Sequence, residues 1–284
     1  MRSIPLKLPE IGLHRGVPHD EYRLWNAISQ SQLKLLLRNP KHGRYQWLNK
    51  AATTQEMKLG SAVHALILEP KSFNEQYYVS RKFSKYSKKG AALWKKMIAK
   101  FGEERILWRE EFEVCCHIRN AILEHPRAAA LINGASEREL SGVWKDEETG
   151  LLCKLRLDLL HEAAAAIIDI KTTSDASEWA FSREIFKRGY HIQGGGYLEG
   201  MAALGSAQDS FAIIAAETEP PYCVAVYDLS SRDLELGRGL WHALLKLQAK
   251  CQSEGSYPGY SADIVTIELP EWARKQLTLV QEQI

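Results

Sequence analysis

The chain has 284 residues, 45% of them hydrophobic and 25% charged, with a formal net charge of +2. That composition excludes a collagen-like, coiled-coil or disordered polypeptide and suits one large domain or two small ones. The longest nearly uncharged apolar stretch, residues 163–168, is far too short to span a bilayer.

Residues 1–25 read as an irregular entry with Pro5, Pro9, Gly12, Gly16 and Pro18. Ser29 reads as an N-cap for a helix over 30–38, with Leu33, Leu36 and Leu37 on one face, and Asn39-Pro40 ends it. A short helix over 44–50 follows. Residues 59–68 place Ala62, Val63, Leu66 and Ile67 at helical spacing and stop before Glu69-Pro70. The pattern predicts further helices over 89–101 and 110–124, the second ending near Pro126.

The period then changes. Residues 137–144 alternate, 145–150 form a charged turn, and 151–160 alternate again. Residues 163–171 are nearly all apolar, as in a strand buried on both faces. Together they predict a three-strand meander over 139–172. A helix over 177–187 closes at Gly189, and another runs over 190–204. Residues 211–217 and 222–229 read as two more strands. Ser230 or Ser231 caps a long helix to about residue 252, and the tail carries Pro258, Pro270 and a short helix from Glu271. No internal repeat or linker stands out. The expected fold is one α/β domain over 1–284: a mainly helical part at 1–130, a sheet-bearing core at 137–229, and a C-terminal helix and tail at 230–284.

The start of the chain lacks an apolar run and a small-residue cleavage site, so no secretory signal is expected and a cytoplasmic location is. The five cysteines, Cys115, Cys116, Cys153, Cys223 and Cys251, form no CxxC pair and read as reduced thiols, with no set suited to an iron–sulfur cluster. Residues 81–96 hold Arg81, Lys82, Lys85, Lys88, Lys89, Lys95 and Lys96 without an acid, interleaved with Phe83, Tyr86 and Trp94. A solvated basic face explains this stretch as well as a phosphate-contacting loop does.

The chemistry-bearing constellation is Asp158 at the end of one strand and Asp169-Ile170-Lys171 at the end of the next, the two aspartates eleven positions apart. A hairpin of that span can bring both carboxylates to one sheet edge, where oxygen ligands suit a hard divalent ion such as Mg²⁺. Asp169 and Lys171 share a strand face, and the carbonyl of Ile170 between them is a further candidate ligand. Lys171 would then lie beside a scissile phosphate, able to orient water and stabilise charge. A structural ion pair is the plainer reading of an Asp-x-Lys triplet. The apolar strand leading into it favours a site.

Arg156-Leu157-Asp158 followed by Ile168-Asp169-Ile170-Lys171-Thr172-Thr173 resembles the "(R)PD…(I/V)D(I/V/L)KTT" signature of RecE-type nucleases (exodeoxyribonuclease VIII-like), in the PD-(D/E)XK superfamily. Tyr190-His191-Ile192-Gln193 with Tyr197 resembles "YHxQxxxY", and Leu59-Gly60-Ser61-Ala62-Val63-His64 resembles "LGxAxH". Glu139, Ser141 and Trp144 resemble "ExSxxW", and Glu148-Thr149-Gly150-Leu151-Leu152-Cys153 resembles "ETGxLC". Ser29-Gln30-Ser31-Gln32-Leu33 and Leu269-Pro270-Glu271-Trp272-Ala273 also fit.

The resemblance implies a restriction-endonuclease-like central mixed sheet flanked by helices, with a helical N-terminal part. It implies that His64, Asp158, Asp169 and the Ile170 carbonyl bind metal, with Glu139 near it through water, and that Lys171 is the catalytic lysine. Gln193 and Tyr197 would order the site and touch DNA. The implied activity is Mg²⁺-dependent (Mn²⁺ substituting) 5′→3′ digestion of linear duplex DNA to 5′-phosphate products. The implied setting is recombination in phage or prophage, a ring-like homo-oligomer (trimer or tetramer) and a single-strand annealing partner.

Two alternatives stay open: a Cas4/RecB-like end-processing nuclease or endonuclease on the same fold, and a catalytically silent DNA-binding recombination adaptor. Leu157 stands where the signature has proline. The run Gly194-Gly195-Gly196 signals close approach of another backbone or of DNA, or a helix break, because each mid-helix glycine costs about 1 kcal/mol relative to alanine.

Overall fold

The computed structural model describes residues 7–49 and 52–281. Six strands form a mixed sheet: β1 (Gly12–His14), β4 (Glu137–Lys145), β5 (Leu152–His161), β6 (Ala166–Thr173), β7 (Ser210–Glu217) and β8 (Val224–Asp228), adjacent in that order. β6 and β7 run parallel, and the other neighbours are antiparallel. Two further strands, β2 (Tyr78–Ser80) and β3 (Ile106–Trp108), pair in parallel apart from it.

Parallel neighbours need a crossover, and here it is the helix pair Glu178–Arg188 and Tyr190–Ala203. The inner strand β7 is buried on both faces, which explains its unbroken apolar run. Phe211, Ile213 and Ala215 pack with Ile192, Met201, Trp241 and Leu245 from the helices Tyr190–Ala203 and Ser231–Ser253. Ala212, Ile214 and Ala216 face the other way, onto Leu66, Ile118 and Leu131 from the helices Gln55–Leu68, Arg109–Glu124 and Pro126–Asn133. Helices on both faces of a mixed sheet are the expected architecture.

The glycine run is a helix-packing device. A Cβ on Gly195 would overlap the backbone nitrogen of Arg238, and one on Gly237 would overlap the carbonyl oxygen of His191. Helices Tyr190–Ala203 and Ser231–Ser253 therefore meet backbone to backbone, and the first is unbroken through the glycines.

Several boundaries depart from expectation. Pro40 and Pro126 start helices, Pro40–Leu48 and Pro126–Asn133, because proline at the first helical position loses only an N–H that would be unpaired anyway. The Asn39 side chain accepts from the N–H of His42 at 3.0 Å and caps the first of them. The sequence pattern puts that helix at 44–50; Lys50 lies outside the described residues. The apolar run from 163 is not all strand: Glu162–Ala164 is a 3-10 turn closed by Ala165 at φ 47°, and β6 begins at Ala166. Strands β1, β2 and β3 have three residues each, too few for a period to show.

Candidate metal centre and active site

The candidate site forms where β5 and β6 part. Their ladder holds from His161↔Ala166 to Leu159↔Ile168 and stops before Asp158 and Asp169. In place of the next rung, the Ile170 N–H donates to Asp158 Oδ2 at 2.8 Å. Across β4 and β5 the rungs pass from Arg138↔Leu159 to Leu140↔Leu157, leaving Glu139 opposite Asp158 without a rung. Glu139 sits at φ 51°, a region that non-glycine residues rarely occupy and that recurs at functional sites. Side-chain alternation inverts at the same level. Leu155, Leu157 and Leu160 belong to the Trp241-side core, whereas Leu159 faces the opposite one. The kink turns both carboxylates to one place.

His64 arrives from the helix Gln55–Leu68, whose first turn is capped by Thr54. Its Nε2 donates to the Ile170 carbonyl at 2.7 Å, and its Nδ1 lies 3.5 Å from Asp158 Oδ2. His64, Glu139 and Asp158 each offer one ligand atom, all within 4.8 Å of one another. An imidazole and two carboxylates converging on one point, with a carbonyl beside them, fit a hard or borderline divalent cation.

Asp169 stands next to this trio, 3% exposed. Gln193 donates to its Oδ1 at 2.6 Å, while Oδ2 has no hydrogen bond and carries the ion pair with Lys171. The Lys171 ammonium also lies 4.9 Å from the centroid of the Tyr190 ring. Glu139 is held by Arg156, whose guanidinium also donates to the Val17 carbonyl at 2.8 Å and to Ser141 Oγ at 3.1 Å.

The electrostatics follow from crowding anions out of water. Burial, then the charge of Asp158, pushes Glu139 up to about 7 against the pull of Arg156. Burial raises Asp169 despite Lys171. Burial works the same way on Asp158, but His64, Lys171 and the Ile170 N–H outweigh it and hold Asp158 below the usual carboxylate range. Burial opposes a charge on His64, and Asp158 overcomes it, raising the imidazole to about 9. Lys171 is likewise raised by Asp169 and Asp158 against burial. His64 thus carries a proton that any cation bound there would have to displace.

The structure brings together His64, Glu139, Asp158, Asp169, the Ile170 carbonyl, Lys171 and Gln193. Tyr197 sits one helical turn beyond Gln193, edge-on to Phe211 at 6.4 Å, with a hydroxyl kept protonated by burial. Of the basic stretch, Arg81, Lys82, Lys88 and Lys89 are exposed; Lys82 lies 3.7 Å from Glu110, and Lys85 is half-buried over Trp94. Arg156 and Tyr190 complete the surroundings, although sequence reasoning assigns neither a role. Their signal is present all the same, since each lies inside a quoted motif.

Over residues 29–269 the chain matches the model of a family described as a PDDEXK-like domain of unknown function (DUF3799). Among solved structures, it is similar to a Eubacterium rectale protein provisionally designated an exonuclease. That match has a TM-score of 0.58 and 14% identity, covering 92% of this chain and 98% of that one. A phage-related exonuclease from Haemophilus somnus 129PT aligns over 81% of this chain and 96% of its own at 17% identity, with a TM-score of 0.34 that adds no argument. No curated protein matches the chain.

Proposed function

The chain belongs to this PDDEXK-like family, and on that premise we propose that it is a metal-dependent deoxyribonuclease acting on the ends of linear duplex DNA. The observation that carries the reading is the convergence of His64, Glu139 and Asp158 beside the Asp169–Lys171 pair where β5 and β6 part. The designation of the Eubacterium rectale neighbour supports exonuclease rather than endonuclease action.

In this reading His64, Asp158, Asp169 and the Ile170 carbonyl would hold Mg²⁺, or Mn²⁺ in its place, with Glu139 beside them. When bound, the metal supplies Lewis-acid polarisation of the phosphate and a more acidic water. Lys171, paired with Asp169, would align the attacking water and stabilise negative charge growing on the phosphate oxygens. Gln193 fixes the orientation of Asp169, and Tyr197 anchors the same helix against β5. Arg156 holds Glu139 in its strained backbone position. Arg81, Lys82, Lys85, Lys88 and Lys89 meet the DNA backbone.

The order of motifs supports the finer proposal: 5′→3′ digestion to 5′-phosphate products, as in RecE-type enzymes, in a bacterial or phage-infected cytoplasm. A ring-like homo-oligomer and a single-strand annealing protein complete that proposal. Among the described residues, no helix is long and apolar enough to cross a membrane. Asp169→Ala and Lys171→Ala test the assignment. Both should abolish cleavage while DNA binding persists, and an active variant would overturn it.

A further inference from the structure

Trp108 of β3, Trp94 of the helix Lys88–Phe101 and Gln55 and Lys58 of the helix Gln55–Leu68 border a second, differently built cleft of about 320 Å³. Its wall is aromatic. Trp94 and Trp108 lie nearly parallel, centroids 5.6 Å apart at 16°, and Phe83 stands edge-on to both at 6.5 and 5.5 Å. The Lys85 ammonium sits 3.3 Å from the Trp94 centroid and 5.1 Å from that of Trp108. One cation therefore covers the faces of two indoles that are only half-buried.

The rest of the lining is polar and divided by charge. Glu111 accepts from Lys58 at 2.7 Å, from Gln55 at 2.6 Å and from the Trp108 N–H at 2.8 Å, so its charge is already met. Glu103 and Glu104 line the same cleft. The glutamates would repel a phosphate and Lys85 would attract one, while an uncharged aromatic ring could meet the indoles.

The cleft and the candidate site share a helix. Gln55 and Lys58 line the cleft, and His64 lies on the same helix. At 1.5 Å per residue, Lys58 and His64 are roughly 9 Å apart along the axis, two or three nucleotides at about 3.4 Å each.

We propose that this cleft is a nucleobase-stacking subsite for the DNA strand: one base takes the place of the Lys85 ammonium on Trp94, and that ammonium moves to the neighbouring phosphate. The assignment rests on the nuclease reading. Stacking tolerates any base, as a processive or end-resecting enzyme requires, and Phe83, Trp94 and Trp108 are thereby given a role distinct from the lysines around them.

The test is fluorescence-anisotropy binding, in EDTA, of a duplex carrying a short single-stranded extension in which one abasic site is walked along the strand. For the wild-type protein, one or two positions should weaken binding by roughly five- to a hundred-fold, the range of a lost base–aromatic stack. The penalty should vanish in Trp94→Leu and persist in Lys85→Met, whose salt-dependence slope should fall by about 0.7 for one lost phosphate contact. Lys85→Met leaves the indoles in place and guards against misfolding of the tryptophan variant. No abasic penalty anywhere, or a penalty unchanged in Trp94→Leu, overturns the proposal. So does tryptophan fluorescence that responds to tetramethylammonium but not to the oligonucleotide, which would mark a cage for organic cations. Cleavage of the same duplex with Mg²⁺ is measured alongside. Cleavage without an abasic penalty sinks the subsite alone, and a penalty without cleavage sinks the nuclease reading alone.

Discussion

Glu139 faces Asp158 across β4 and β5 at a position where the ladder between them has no rung. The left-handed backbone at Glu139, φ 51°, costs about 1–2 kcal/mol relative to an ordinary strand conformation. Burying two carboxylates side by side adds to that cost. A fold optimised only for stability would place neither acid there, which suits the proposed cation site.

The pH dependence of metal-free stability should show that cost. Glu139 titrates near 7 in the folded protein against an ordinary value of 4.5. A raised folded value means its protonated form favours folding: the contribution is fully present below about 4.5 and is lost as pH rises through 7. The loss is on the order of 2–3 kcal/mol. Urea unfolding of wild type and Glu139→Gln at about pH 4.5 and about pH 8 measures it. The difference between the two proteins should grow with pH in EDTA and shrink when Mg²⁺ or Mn²⁺ is added.

Metal affinity should rise with pH. His64 titrates near 9 without metal, and only the neutral imidazole can be a ligand, so below that value binding expels one proton. Affinity then increases up to about tenfold per pH unit and levels off above about 9. Calorimetric titration with Mn²⁺ between about pH 6.5 and about pH 9.5 reads the slope. His64→Gln should bind more weakly and with a flatter profile; an unchanged profile would remove His64 from the metal site.

Two glycine variants probe the helix pair behind Gln193. Gly195→Ala should destabilise by about 1–3 kcal/mol, since its Cβ would press on backbone atoms of Leu234 and Arg238 that cannot step aside. Gly239 lies exposed on the helix Ser231–Ser253, and a Cβ added there would meet nothing within 4 Å. Gly239→Ala should therefore stabilise by up to about 1 kcal/mol through helix propensity. Denaturant midpoints decide both signs.

Much of this arrangement is legible in the sequence. The change from helical to alternating period announces β4 and β5, and the paired acids announce the site, although Asp158 and Asp169 lie inside β5 and β6, where the ladder between those strands stops, and not at strand ends as the sequence suggests. The kink at Glu139 is not legible, because a left-handed residue inside a strand leaves no trace in a hydropathy pattern. Nor are the helices opened by Pro40 and Pro126, since proline reads equally as a stop and as a first helical residue. Gly194 to Gly196 signal a close approach, but only the fold shows that the helix Ser231–Ser253 is what approaches. Trp108 escapes notice because it reaches the aromatic cleft through the parallel pairing of β2 with β3, which no local pattern records.

The cluster at Glu139, Asp158 and Asp169 is proposed above all to serve metal-dependent attack on DNA ends. Digestion of linear duplexes labelled at the 5′ or the 3′ end, beside covalently closed circles, with Mg²⁺, Mn²⁺ or EDTA, tests this most directly. The expected result is metal-dependent release of the 5′ label first, intact circles, and no activity in EDTA or in Asp158→Asn. Cleavage of the closed circles would contradict the exonuclease reading, and cleavage that survives EDTA would contradict the metal site itself.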